Sequence, residues 1–115
     1  YVGRNNRQND ELTFRLARKD DIWCHASKVH GSHVIISCGG TTPPDDTVTQ
    51  AAQLAAYYAE TGGGQNIPVD VTAVKQVKKI PNGKPGMVIY HTYRTVIANP
   101  YPGIVVDALN AETKE

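Results

Sequence analysis

The 115-residue sequence has only two cysteines, Cys24 and Cys38. That is too few for a disulfide scaffold. In a chain without an export signal, two thiols are read as reduced and packed in an ordinary core. No run approaches the roughly 18 consecutive apolar residues of a membrane span. The polar, basic start lacks the apolar stretch of a signal peptide, so the chain is expected in the cytoplasm with no membrane partner. The chain opens at Tyr1 and its single methionine is Met87, which is read as the mark of a segment of a longer protein. Internal repeats and low-complexity tracts are absent. So are the two glycine-rich phosphate loops, G-x-x-x-x-G-K-[ST] and G-x-G-x-x-G. Gly62-Gly63-Gly64 follows a predicted helix instead of preceding one, so it reads as a C-terminal cap and not as a phosphate cradle.

What is present fits one globular domain. The apolar fraction is 40% and the charged fraction 20%, both ordinary values that exclude a disordered chain. A chain of this length buries roughly two-thirds of the surface that its unfolded form exposes. The net charge of +1 conceals a segregation: residues 41–70 carry four acids and no base, whereas residues 71–100 carry Lys75, Lys78, Lys79, Lys84 and Arg94 and no acid. A polyanion responds to such a local basic surface and not to the total. A merely solvated face is the plain alternative.

Residues 5–18 read as a helix, with Leu12 and Leu16 four apart on its buried side and Asn5 or Asn6 as N-cap. On its exposed stripe Glu11 is placed to pair with Arg15. Asp20-Asp21 ends it. Residues 21–26 alternate as a strand, Ile22, Cys24 and Ala26 on one face and Asp21, Trp23 and His25 on the other. A second strand over 33–38 is expected to pair with it. The spacing predicts a helix over 47–61, opened by a Thr47–Gln50 capping box and buried through Val48, Ala51, Ala52, Ala55, Tyr58 and Ala59. Strands follow at 69–74, 87–90 and 95–98. The basic loop 75–85 lies between the first two, with turn signals at Pro81-Asn82-Gly83 and Pro85-Gly86. Residues 101–115 read as a polar tail that frays. The expected fold is α+β: a single, mostly antiparallel sheet with two main helices packed on it, a domain over 1–100 and a tail over 101–115.

Three histidines, His25, His30 and His33, lie near the cysteines, but Cys24 and His25 point to opposite faces of their strand. The spacing also matches no zinc-finger pattern. A Ser32 or Cys38 nucleophile lacks the glycine-flanked elbow. Neither a metal, a cofactor nor an enzymatic activity is therefore expected. What remains is a polar and aromatic surface: Arg4, Asn5, Asn6, Arg7, Gln8 and Asn9, then Trp23 and His25, then the basic loop. Amides read base edges, Trp and His stack on unpaired bases, and Lys and Arg neutralise phosphates. The plain alternatives are a core tryptophan and helix-capping amides.

Gly3-Arg4-Asn5-Asn6-Arg7-Gln8-Asn9-Asp10 with Leu12, Asp21-Ile22-Trp23-x-His25-Ala26, and Gly31-Ser32-His33-Val34-Ile35-Ile36 together resemble the NFACT-R (NFACT RNA-binding) domain. Pro68-Val69-Asp70, Val74-Lys75-Gln76-Val77-Lys78-Lys79 and Lys84-Pro85-Gly86-Met87-Val88-Ile89-Tyr90 are similar to its second half. The resemblance covers about Val2 to Pro100. It departs at Ser27, Lys28 and His30, where the family has a Lys-Asp pair and a proline, and at Ala59 and Ile80. It implies a parent with an N-terminal NFACT domain, helix-hairpin-helix segments and a coiled coil. Such parents are ribosome-associated quality-control factors that bind the large subunit and recruit tRNA; bacterial members are also often labelled fibronectin-binding proteins. The expected partners are thus RNA (large-subunit rRNA or tRNA) and, through the parent, the ribosome, with fibronectin suggested by the label alone. The expected RNA-binding residues are Arg4, Asn5, Asn6, Arg7, Gln8, Asn9, Trp23, His25, His33, Lys75, Lys78, Lys79, Lys84 and Arg94.

Overall fold

The apolar alternation of Ile22–Ala26 makes this segment, β1, an inner strand of a four-stranded antiparallel sheet. The computed structural model describes residues 1–59 and 64–112. The predicted end of the long helix at Thr61 and the Gly62-Gly63 cap lie outside the described residues. The other strands are β2 (Val34–Ile36), β3 (Ile67–Ala73) and β6 (Arg94–Ala98), in the order β2-β1-β3-β6. β4 (Lys78–Lys79) and β5 (Val88–Ile89) form a separate two-stranded hairpin. The helices are α1 (Asn6–Glu11), α2 (Asp45–Tyr57) and α3 (Ile104–Glu112). The fold is α+β and predominantly antiparallel, with a small second sheet and a third helix that the sequence reading did not contain.

Each face of the sheet carries a packed core. On one, the alanine stripe of α2 (Ala51, Ala52, Ala55 and Ala56) meets Cys24, Ala26, Val34, Val69 and Val71. Small side chains let the helix backbone approach the sheet closely. α2 starts two residues before the expected capping box, with Pro44 as N-cap and no side-chain cap bond. Thr47 is therefore inside the first turn. Asp45 and Asp46 supply the negative charge that a helix N-terminus favours.

On the opposite face, Leu12, Trp23, Ile35, Val74 and Val77 form a second core, closed by Phe14, Ala17, Val88 and Tyr90. α1 begins at Asn5, whose Oδ1 accepts the Gln8 N–H at 2.8 Å. After Glu11 the helix widens into a π turn over Leu12–Leu16, in which the Ala17 N–H reaches back five residues to the Leu12 carbonyl. The widening breaks the four-residue register: Leu12 is buried, while Leu16 is 70% exposed. The expected Glu11–Arg15 ion pair does not form; the ion pair among the described residues joins Lys79 and Asp10.

The stretch read as a fraying tail instead carries α3, which packs on α2 and buries Ile104 completely. Pro102 and Gly103 lead into it. Cys24 is buried and Cys38 half-buried, both as free thiols; burial pushes the Cys24 thiol up to about 12.

Candidate nucleic-acid interface

The β4–β5 hairpin docks along α1. Asp10 makes the joint: its carboxylate accepts from Lys79 Nζ at 2.9 Å and from the Gly86 N–H at 3.2 Å. Gly86 has φ +83, and a Cβ there would lie 3.0 Å from the Asn6 carbonyl oxygen. Only glycine both adopts that backbone and allows that approach. Lys79 also sits 5.7 Å from the centre of the Phe14 ring. Since the side chains of a strand alternate, Lys79 faces α1 and Lys78, opposite Ile89, faces away. Lys78 and Lys84 are exposed, as are Asn6 and Arg7 on the adjoining helix.

Other predicted site residues lie elsewhere. Arg4 is exposed, but its guanidinium lies over the Tyr58 ring, 4.5 Å from the centroid, and Gln8 accepts the Arg4 N–H at 3.0 Å. Asn5 and Gln8 are thus engaged in opening the helix. Lys75 and Arg94 come together at a cavity that the hairpin lysines do not line. Arg94 is paired with Val71, on the α2 side of the sheet, and with Lys75 it lines a cavity of about 300 Å³ that Asp20 and Asp45 share.

Three residues expected to meet RNA are interior. Trp23 is fully buried, because the face with the more polar strand residues is a second core and not a solvent face. Asn9 is buried too: its Nδ2 donates to the Gly31 carbonyl at 3.1 Å and its Oδ1 accepts the His33 N–H at 3.0 Å. His33 is buried, its Nδ1 bonded to Thr13 Oγ1 at 2.8 Å. Burial, reinforced by neighbouring His25, pushes the His33 pKa down to about 3.

An aromatic cluster surrounds Trp23. His25 stacks parallel to it at 5.6 Å, His33 meets it edgewise at 5.2 Å, and Tyr90 edgewise at 4.8 Å. Among the described residues, no group accepts the buried Trp23 indole N–H. His25 is half-buried, and its Nδ1 lies 2.6 Å from the Ala26 carbonyl. Burial pushes its pKa down, against a smaller opposing effect of that bond and of Asp70. Tyr90 Oη donates to Asp70 at 2.5 Å, and Thr95 donates to the same carboxylate at 3.1 Å. Burial, then Asp70, raises the Tyr90 pKa. Tyr90 and its exposed neighbour Tyr93, ring centres 5.1 Å apart, were missed from sequence. The signal available was a pair of tyrosines immediately after the basic segment. No group of three or more His, Cys, Asp or Glu able to hold a metal occurs among the described residues. No helix there is long and apolar enough to cross a membrane.

The family model of the NFACT protein RNA binding domain matches residues 1–92. The chain belongs to the NFACT RNA-binding domain family. Relatives of this NFACT RNA-binding domain include Rqc2 homolog RqcH of Streptococcus pneumoniae strain D39, 47% identical over 100 residues, which are 87% of this chain and 18% of that protein. RqcH of Bacillus subtilis strain 168 is 44% identical over 106 residues, 91% of this chain and again 18% of the relative. The chain thus spans about a fifth of the curated relatives it matches. Among solved structures, the C-terminal part of the fibronectin/fibrinogen-binding protein from Streptococcus suis superposes with a TM-score of 0.87 at 40% identity, covering 92% of this chain and 42% of that one.

Proposed function

We propose that this NFACT RNA-binding domain binds RNA across the joined hairpin and α1, and thereby helps a cytoplasmic, ribosome-associated quality-control factor dock on the large subunit or its tRNA. The observation that carries the reading is the Asp10 joint. It consumes the charge of Lys79 but leaves Lys78, Lys84, Arg7 and the Asn6 amide exposed on the two elements that it joins. Lysines there act on phosphates without reading sequence, and Asn6 adds a donor and acceptor for a base edge or sugar. The names of the RqcH relatives supply the ribosome-linked setting. The module is assigned a positioning role and no catalytic step.

The test is the salt dependence of binding to tRNA or large-subunit rRNA fragments. Each phosphate contact contributes about 0.7–0.9 to the slope of log affinity against log salt. Lys78→Ala with Lys84→Ala is expected to weaken binding and flatten the slope by up to about two units. An unchanged slope overturns the assignment. A second reading, contact with a protein, is favoured by the name of the S. suis relative and by the exposed Val106 and Leu109 of α3. It predicts binding that responds to α3 substitutions and little to salt.

A further inference from the structure

The sheet face that holds Trp23 is covered over only part of its width. α1, the π turn and the hairpin close the side where Ile35 and Trp23 are buried. Toward β6 the register sets His25 beside Asp70, Asp70 beside Thr95 and Pro68 beside Ile97 on that same face. Thr95, Pro68 and Ile97 are exposed there, and His25 is half-buried. Tyr93, the residue just before β6, is brought to this face by its contact with Tyr90, which itself meets Trp23, and it is 49% exposed.

Tyr93 is held from beneath. A ladder of rings runs from Trp23 to Tyr90 at 4.8 Å and from Tyr90 to Tyr93 at 5.1 Å. Asp70 anchors Tyr90, and the adjoining turn is pinned where Thr72 Oγ1 donates to the Thr92 carbonyl at 2.6 Å. An exposed ring already fixed in place loses little freedom when something stacks on it. His25, backed by the parallel Trp23 ring, uses its Nδ1 proton on the Ala26 carbonyl. In that tautomer its Nε2 is an acceptor. The hairpin that runs into Tyr90 carries exposed Lys78 and Lys84, and residues 71–100 contain no acid. An aromatic strip that continues along the chain from a cationic hairpin, with its Asp70 carboxylate satisfied by Tyr90 and Thr95, complements a chain with flat bases and phosphates.

We propose that this open strip seats unpaired nucleotides, Tyr93 stacking on one base and His25 Nε2 accepting an N–H from the same or the adjoining nucleotide. The site rests on the RNA reading above and deepens it, giving the domain a preference for single strands that the lysines alone do not confer. Stacking is tolerant of base identity, and the His25 acceptor takes an amino or imino N–H from a base edge.

The test uses the whole chain and a ten-nucleotide RNA carrying one 2-aminopurine, single-stranded or annealed to its complement. Expected results are quenching of 2-aminopurine on binding, weaker binding of the duplex, and a loss of roughly 5- to 150-fold in affinity with Tyr93→Ala. Tyr93→Phe keeps both affinity and quenching. If Tyr93→Ala melts early, Tyr93→Leu, which retains packing on Tyr90 without an aromatic face, is expected to show the same loss. Wild-type affinity and quenching in Tyr93→Leu, with Lys78→Ala and Lys84→Ala still weakened, overturns the stacking site and leaves the RNA reading intact. Failure of the wild-type chain to bind either RNA overturns both. Polyglutamate that displaces the single strand equally well from wild type and Tyr93→Ala makes the strip a general anion or acidic-peptide surface and also overturns it.

Discussion

The Asn9 carboxamide oxygen accepts the backbone N–H of His33 at 3.0 Å, tying α1 to the entry of β2. Its nitrogen holds the Gly31 carbonyl in the same stroke. A residue whose amide suggested base reading is thus a buried clasp, and removing it orphans two backbone groups. Asn9→Ala is expected to cost about 1–3 kcal/mol, the penalty of leaving buried polar groups unpaired. Denaturant midpoints measure it. An exposed, RNA-reading Asn9 would instead lose affinity with no change in midpoint.

Trp23 makes an equally sharp contrast. With its ring between Leu12, Ile35, Val74 and Val77, truncation opens a cavity. Trp23→Ala is expected to lose about 3–5 kcal/mol, the usual cost for a large aromatic side chain. For a small domain this is a large part of the total, so thermal melting reports it directly. A variant that melted like the wild type would place the tryptophan outside the core.

Half-buried His25 and buried His33 make the fold sensitive to acid. Both have folded pKa values below that of an ordinary histidine, His33 down to about 3, with burial as the first cause. The unfolded chain takes up protons below about pH 6.5 that the folded chain refuses. Stability from this source is therefore complete above about pH 6.5 and is lost as pH falls toward 3. The loss is up to about 1.4 kcal/mol per pH unit for a histidine that stays neutral. His33→Gln, which has no such proton to refuse, is expected to flatten unfolding free energies measured between pH 6.5 and 4. Parallel curves for the variant and the wild type would exclude His33 as the cause.

The parts of the fold that were legible in sequence are those with a repeated physical motif. The alanine stripe of α2 announced a helix pressed on a sheet, and the alternation of Ile22, Cys24 and Ala26 placed one core face. The other face was misread because its polar residues are satisfied internally. Asp21 takes the Arg18 and Cys38 N–H groups, Thr13 meets His33, and Asp70 is shared by Tyr90 and Thr95. Polarity in a strand signals solvent only when no partner is available inside, and partners separated by 17–25 residues cannot be seen locally. The π turn was hidden for a related reason. Leu12 and Leu16 have helical spacing, and nothing between them reports that the Ala17 N–H would bond five residues back. In the candidate site, charge segregation pointed to Lys78, Lys79 and Lys84, but not to the neutralisation of Lys79 by Asp10.

The joint between Asp10 and Gly86 spans 76 positions of the chain. Closing so long a loop costs conformational entropy before any contact repays it. The lysines are present in every fragment that includes the segment, yet their arrangement relative to Asn6 and Arg7 exists only in a chain in which the hairpin has met α1. Partial opening of the domain scatters the cationic surface without removing one charge. Under the proposed RNA reading, recognition of a polyanion is in this way conditional on completed folding, and an unfolded copy presents lysines without their arrangement.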